Sequence, residues 1–177
     1  MGEAGTPAFP KSVALSGSRT FLGTEFLRQL SDDPRIERLV ALDVREPAFD
    51  SPKLDFCPVD LTSPSAGSEL ARILDDNEVD AVVHGAFLSR PTHASAWAHE
   101  LEDVGTMHML DACARTRPNQ LMVLSTTLVY GASPSNPNYL SESAKLASIT
   151  ESRFINDKVK VEEQVMRFAR NHPEMAV

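Results

Sequence analysis

A glycine-containing turn between an apolar run and a helical pattern constrains the fold of this chain most. The turn is Ser16-Gly17-Ser18-Arg19-Thr20-Phe21-Leu22-Gly23, and it follows the apolar run Val13-Ala14-Leu15. A strand that passes through glycine into a helix points free backbone N–H groups and the positive end of the helix dipole at one spot, where a phosphate fits. The turn therefore predicts a parallel βαβ unit with an anion site at its first crossover.

An acidic residue stands where a dinucleotide site needs one, about 20 residues after the turn. Asp43 ends a second apolar run, Leu39–Leu42. Its carboxylate can take the ribose hydroxyls, and a strand-end cap is the alternative. Since an acidic group here repels a 2′-phosphate, NAD is favoured over NADP, although Arg45 two residues later leaves NADP open.

The rest of the chain alternates short apolar runs with longer helical patterns and shows no internal repeat, which predicts parallel βαβ units. Strands are expected at about 12–15, 38–43, 55–60, 81–84 and 121–125, and helices at about 21–31, 65–77, 95–117 (one long or two abutting) and 152–171. Residues 131–143 are rich in proline, asparagine and serine and predict a loop. Residues 175–177 begin a sixth strand. The fold class is α/β, a doubly wound, Rossmann-like parallel sheet of five to six strands with helices on both faces.

Length and composition fit one domain of ordinary size, residues 11–177, after a disordered lead-in at 1–10. The net charge of −8 argues against nucleic acid and anionic membranes as partners. No basic segment precedes an apolar core near the start and no apolar run reaches membrane-spanning length, so a cytoplasmic location is expected. Cys57 and Cys113 lack C-x-x-C spacing and predict free thiols. The histidines do not share ligand spacing on one helical face, and no metal is expected.

Further segments carry recognisable motifs. They are Asp60-Leu61; Val82-Val83-His84-Gly85-Ala86; Asp103-Val104-Gly105-Thr106 followed by Leu110-Asp111-Ala112; Leu124-Ser125-Thr126-Thr127-Leu128-Val129-Tyr130-Gly131; and Lys158 with Glu162. With the first turn, they resemble the extended short-chain dehydrogenase/reductase family, the NAD-dependent sugar epimerases and dehydratases, over about residues 11–177. The third segment resembles the family's N-V-x-G-T-x-x-L-L-x-A helix, shortened by one residue and with Asp for Asn.

The resemblance implies a site for each functional group. Its cofactor-binding residues would be Gly17, Ser18, Arg19, Thr20, Phe21, Leu22, Gly23, Asp43, Asp60, Leu61, Gly85, Ala86 and Lys158. Thr126 would be the catalytic hydroxyl and Lys158 would hold the cofactor ribose. A nucleotide sugar or another hydroxyl or carbonyl compound would be the substrate, and helices 95–117 and 152–171 would form a homodimer. The alternatives are a loop cap for Asp60, an ordinary strand residue for Thr126, a solvated helix lysine for Lys158 and a satisfied core histidine for His84.

Two residues depart from the family pattern. Phe154 stands four residues before Lys158, where the family has the tyrosine that serves as general acid and base, and a phenyl ring has no proton to give. Thr20 replaces the middle glycine of the turn, so its side chain either crowds the phosphate or caps the helix and donates to a phosphate oxygen.

The length of the chain also differs from the family pattern, because the sequence stops before the region that builds the family's substrate pocket. These departures leave three functions open: an NAD-dependent epimerase/dehydratase-like oxidoreductase, a dinucleotide-binding sensor or scaffold without chemistry, and a vestigial fragment that holds no dinucleotide.

Overall fold

The computed structural model describes residues 9–131, 134, 136–147 and 152–177. The disorder expected at 1–10 falls mostly outside the described residues, as does part of the predicted loop 131–143. The strands are β1 (Ser12–Ser16), β2 (Arg38–Asp43), β3 (Leu54–Pro58), β4 (Ala81–His84) and β5 (Gln120–Val123). The helices are α1 (Phe21–Asp32), α2 (Ala66–Asp76), α3 (Ser95–His99), a π-helical segment (Glu100–Val104), α4 (Gly105–Thr116), a 3₁₀ turn (Thr127–Tyr130) and α5 (Arg153–Asn171).

The described strands form one parallel sheet in the order β3-β2-β1-β4-β5. This confirms the predicted Rossmann-like α/β class. The apolar runs of β1 and β2 are buried along almost their whole length because helices cover the sheet on both sides. The strand order reverses between β1 and β4, and the carboxyl ends of these two strands leave a crevice there, the usual ligand position in such sheets.

The two faces of the sheet are covered unequally. Leu27 of α1 packs with Val13, Leu15 and Leu39 on one face. Helices α2, α4 and α5 cover the other face, with Leu70, Met109 and Phe168 in a larger apolar cluster. Met122 pairs in register with Val83 on the α1 face and is 56% exposed. Within the part of the chain that the structure describes, cover on the α1 face therefore ends before β5.

Predicted and observed boundaries differ mainly at β3 and at the long helix. β3 ends at Pro58 rather than residue 60, as suits an edge strand whose proline has no N–H for a further partner. Residues 95–116 form a continuous helical stretch with a π-helical insert, intermediate between the one long helix and the two abutting helices expected. A single parallel bridge joins Ala176 to Gln120, at the place expected for a sixth strand, and the sheet has five strands among the described residues. No helix in the described ranges is long and apolar enough to span a membrane.

Candidate functional site

The glycine turn lies against the end of β4. Gly17 has a φ of +73°, and a Cβ placed on it would lie 2.5 Å from the carbonyl oxygen of Gly85. Only glycine fits both the backbone conformation and the space. A Cβ at Gly23 would likewise meet the carbonyl oxygen of Gly17. The two glycines therefore allow β1, α1 and the loop after β4 to close tightly at the switch point of the sheet.

Thr20 caps α1. Its Oγ1 accepts a hydrogen bond from the Gly23 N–H at 2.9 Å and donates to the Gly17 carbonyl at 2.8 Å. The sequence left open whether the Thr20 side chain crowds the phosphate or caps the helix, and in the structure it caps the helix. The single hydroxyl proton is directed to Gly17, so the expected donation from this hydroxyl to a phosphate is not available in this geometry.

Ser18 supplies a polar group without a partner inside the turn. The residue is fully buried, and its hydroxyl has no hydrogen-bond partner among the described residues. A buried hydroxyl left unpaired costs free energy unless a ligand or water completes it. The Ser18 hydroxyl is not open to a ligand, whereas the close approach of Gly17 to Gly85 fits a turn built to hold a phosphate-bearing cofactor.

One cavity, which we call the Asp43 cavity, opens beside the turn and has a volume of about 520 Å³. Its wall includes several of the residues that the sequence predicted to bind a cofactor: Arg19, Asp43, Asp60, Leu61 and Ala86. Arg45 and Trp97 also line it. The structure thus brings together residues from the ends of β2, β3 and β4 that lie far apart in the chain.

The acidic residues of the Asp43 cavity have structural roles as well. Asp43 accepts the N–H of Arg19 at 3.1 Å and that of Val44 at 2.8 Å, one on each carboxylate oxygen. It therefore ties the glycine turn to the end of β2. Asp60 accepts both the N–H and the hydroxyl of Thr62 through Oδ1. Asp60 is therefore a loop cap, the alternative considered above. That its remaining lone pairs bind a ligand stays a prediction.

A second cavity of about 440 Å³, the Lys158 cavity, adjoins the first, and both are lined by Thr20, Phe87 and Leu88. Phe21, Leu22, Gly85, Thr126, Phe154 and Lys158 also line it. Thr126 is half-buried, and its Oγ1 accepts the Leu128 N–H at 3.4 Å where it caps the 3₁₀ turn. The neighbouring Ser125 hydroxyl donates to Glu162. The phenyl ring of Phe154 forms part of the cavity wall, where it offers no proton.

Lys158 is a buried residue, not the solvated helix lysine that its charged neighbours suggested. It is 5% exposed, and its Nζ lies 2.5 Å from Oε1 of Glu102, which is 2% exposed. The rings of Phe87 and Phe154 flank the ammonium group. Sequence reasoning missed Glu102. The signal was present: without the one-residue deletion, the helix motif aligns Glu102 with the family's Asn and still matches Gly105, Thr106, Leu110 and Ala112.

His84 is the satisfied core histidine that was the favoured alternative. It is fully buried, with Nδ1 2.7 Å from the Ser16 hydroxyl and Nε2 3.0 Å from that of Thr106. Desolvation lowers its pKa to about 4, so the ring is neutral near pH 7. Its place behind the turn makes it a support for β1 and β4.

One group of side chains near α5 has metal-ligand chemistry that the histidine spacing alone did not reveal. Ligand atoms of His99, Asp103 and Asp157 lie within 4.8 Å of one another. Each of them already has a partner: His99 pairs with Asp157 at 2.9 Å, and Lys160 and Gln164 contact Asp103. The group joins α3 and the π-helical segment to α5.

Comparison with known proteins identifies the class. The family model described as the NAD dependent epimerase/dehydratase family matches residues 13–177, and the chain belongs to that family, whose cofactor is NAD. An uncharacterized protein of Mycobacterium tuberculosis is 31% identical over 178 residues, covering 97% of this chain and 46% of that protein. The chain thus spans about half the length of the curated relatives it matches.

Solved structures agree on the fold. The Bordetella bronchiseptica enzyme WbmH, in complex with NAD+, matches with a TM-score of 0.77 and 19% identity, over 90% of this chain and 53% of that one. The UDP-Glc/GlcNAc 4-epimerase of Campylobacter jejuni gives a TM-score of 0.76 at 22% identity, over 93% and 51%. At these identities the likeness establishes the fold.

Proposed function

We propose that this chain binds NAD along the two adjoining cavities, with the adenosine part in the Asp43 cavity and the nicotinamide part in the Lys158 cavity. The observation that carries the proposal is the glycine turn where the cavities meet: Gly17 lines the Asp43 cavity, Gly85 lines the Lys158 cavity, and the two backbones are in close contact. Because the first N–H groups of a helix have no partner within it, those of Phe21 and Leu22 at the start of α1 suit the diphosphate.

The residues of the Lys158 cavity favour binding over turnover. When bound, NAD supplies a ring that accepts hydride. Such a transfer also needs a group that takes the substrate proton, and Phe154 occupies the family's position for that group. Among the described residues lining this cavity, Lys158 is the one with an ionisable side chain, and it is already paired with Glu102. The proposed function is therefore that of a dinucleotide-binding module without tyrosine-dependent proton transfer.

A second candidate is an epimerase/dehydratase-like oxidoreductase that acts on a nucleotide sugar. It is favoured by Thr126, which lies on the same cavity wall as Lys158 and is only half-buried. In that case Thr126 would orient the substrate oxygen, and the proton acceptor would be water or a group outside the family's usual position. A cytoplasmic location is expected for either function.

Cofactor titration tests the binding proposal. Because Trp97 is the single tryptophan and lines the Asp43 cavity, its fluorescence reports on ligand entry. We expect NAD to bind more tightly than NADP, and a hundredfold excess of NAD over its Kd to stabilise the fold by about 2.7 kcal/mol. Asp43→Ala should narrow the difference in affinity between NAD and NADP. Asp55→Ala, on the exposed edge strand, should leave that difference unchanged. No thermal shift at millimolar NAD and NADP would support the vestigial fragment instead.

Turnover separates the two candidates. The binding proposal expects neither cofactor reduction with a panel of alcohols nor an altered sugar product from nucleotide sugars, even when NAD is saturating. Both are measured because epimerisation and dehydration of a sugar are redox-neutral overall. Turnover that is lost in Thr126→Ala, while NAD affinity is unchanged, would establish the oxidoreductase.

A further inference from the structure

Glu102 lies on the π-helical segment, behind the wall of the Lys158 cavity, where it contacts the wall residues Lys158 and Leu88. In this segment each turn holds an extra residue, and such bulges often occur at functional sites. The neighbouring acidic residues Glu100 and Asp103 lie nearer the surface, whereas Glu102 is turned into the protein and is 2% exposed. An ionised carboxylate is rarely buried in this way unless it has a specific partner.

The partner is Lys158, and both side chains of the pair are buried. Oε1 of Glu102 accepts a hydrogen bond from the Lys158 ammonium at 2.5 Å and another from the Leu88 N–H at 2.8 Å. On its other sides the ammonium faces the rings of Phe154 at 4.8 Å and Phe87 at 4.9 Å. Aromatic faces attract a cation but carry no net charge. Glu102 therefore supplies the negative charge that balances Lys158.

This charge balance changes what the cavity wall presents to a ligand. Lys158, Phe87, Leu88 and Phe154 all line the Lys158 cavity. With Glu102 ionised, the wall carries a neutral ion pair; without it, the wall would carry a lone cation in a partly desolvated site. The oxidised nicotinamide ring is positively charged and the reduced ring is neutral, so a lone cation would penalise the oxidised form alone.

We propose that Glu102 sets the preference of this site for oxidised over reduced NAD by neutralising Lys158. It is a specificity-determining residue that acts through the lysine. The inference rests on the proposed binding of NAD in the two cavities.

The test compares the affinities of NAD+, NADH and ADP-ribose, which lacks the nicotinamide ring, for the wild-type chain and four variants. In Glu102→Gln we expect the ratio of the Kd for NAD+ to the Kd for NADH to rise roughly tenfold, with no loss of affinity for ADP-ribose, which has no charged ring. Glu102→Asn, which places the family's residue at this position, should raise the ratio in the same direction. The matched control Glu100→Gln, on the exposed side of the same segment, should leave it unchanged.

The double variant Glu102→Gln, Lys158→Gln separates charge from structure. It restores a neutral wall, so we expect the wild-type ratio to return; a purely structural role for Glu102 would not produce this reversal. An unchanged ratio in a folded Glu102→Gln or Glu102→Asn variant overturns the proposal. So does a failure of both single variants to fold while the double variant folds, because the pair would then serve stability alone. If ADP-ribose does not bind the wild-type chain, the proposed function itself fails.

Discussion

Single residues decide how this crevice is built. Gly17 permits the approach of Gly85, Thr20 closes the first turn of α1, and Ser18 keeps a hydroxyl without a partner among the residues described. Each belongs to the motif that defines the family, so their positions could be predicted from the sequence. Their hydrogen bonds could not, because a threonine at position 20 has several staggered arrangements and the packing of the turn selects one.

His84 gives a residue-scale prediction about pH. Its pKa is about 4 in the folded chain, below the ordinary value of 6.5, because burial disfavours the charged ring. The unfolded chain therefore takes up the proton first as pH falls, and this contribution to stability is present above pH 6.5 and lost between pH 6.5 and 4. Between pH 7 and 5 we expect a loss on the order of 2 kcal/mol from this group.

The measurement is chemical unfolding of the wild-type chain and of His84→Asn at both pH values. The variant should be less stable at pH 7 and show a smaller decline towards pH 5. If the free energy of unfolding falls equally in the two proteins, His84 does not take up a proton on unfolding in this range. The same substitution at a half-buried histidine, His108→Asn, is the control.

Elements add a second layer of organisation. The carboxyl ends of β1, β2 and β4 bring Gly17, Asp43 and Gly85 to one edge of the sheet, and this follows from parallel topology alone. The π-helical segment is different. Its extra residue turns Glu102 towards Lys158, and helical periodicity in the sequence cannot reveal such a change of phase.

The N-terminus of α1 carries an element-scale prediction. Thr20→Ala removes the cap of the Gly23 N–H and should lower stability by about 1 kcal/mol. Thr20→Ser keeps the hydroxyl and should retain most of the stability. Thr20→Gly restores the family's glycine, so it should lose only a few tenths of a kcal/mol. It should also bind NAD more tightly, because it removes a β-branched side chain that lines both cavities.

Thermal unfolding and NAD titration of these three variants measure both effects. Weaker NAD binding by Thr20→Gly than by the wild-type chain would show that the threonine assists the diphosphate rather than crowding it.

At the scale of the whole molecule, large apolar side chains are exposed to solvent on both sides of the sheet. Met107 of α4 and Met166 of α5 are 52% and 41% exposed, and Met122 on the α1 face is 56% exposed. The homodimer through helices 95–117 and 152–171 stays a prediction, and it would cover the first two of these residues. It predicts that Met107→Glu and Met166→Glu together give a monomer.

Light scattering coupled to size-exclusion chromatography measures the mass directly. Met122→Glu is the matched control, since it places the same charge on the opposite face and should leave a dimer intact. A wild-type chain that is monomeric at all concentrations tested contradicts the prediction.

The sequence by itself determined that the strands form a parallel sheet and which residues lie at its carboxyl edge. Apolar runs, glycines and strand-end acids are local patterns, and parallel topology places the ends of the strands at one edge. It also identified Phe154 as a departure from the family's tyrosine, because the residue type alone shows that the hydroxyl is missing. Only the tertiary structure decided that Lys158 is buried and paired with Glu102. These two charges are 56 residues apart, and only the packing of α5 against the π-helical segment brings them together and buries both.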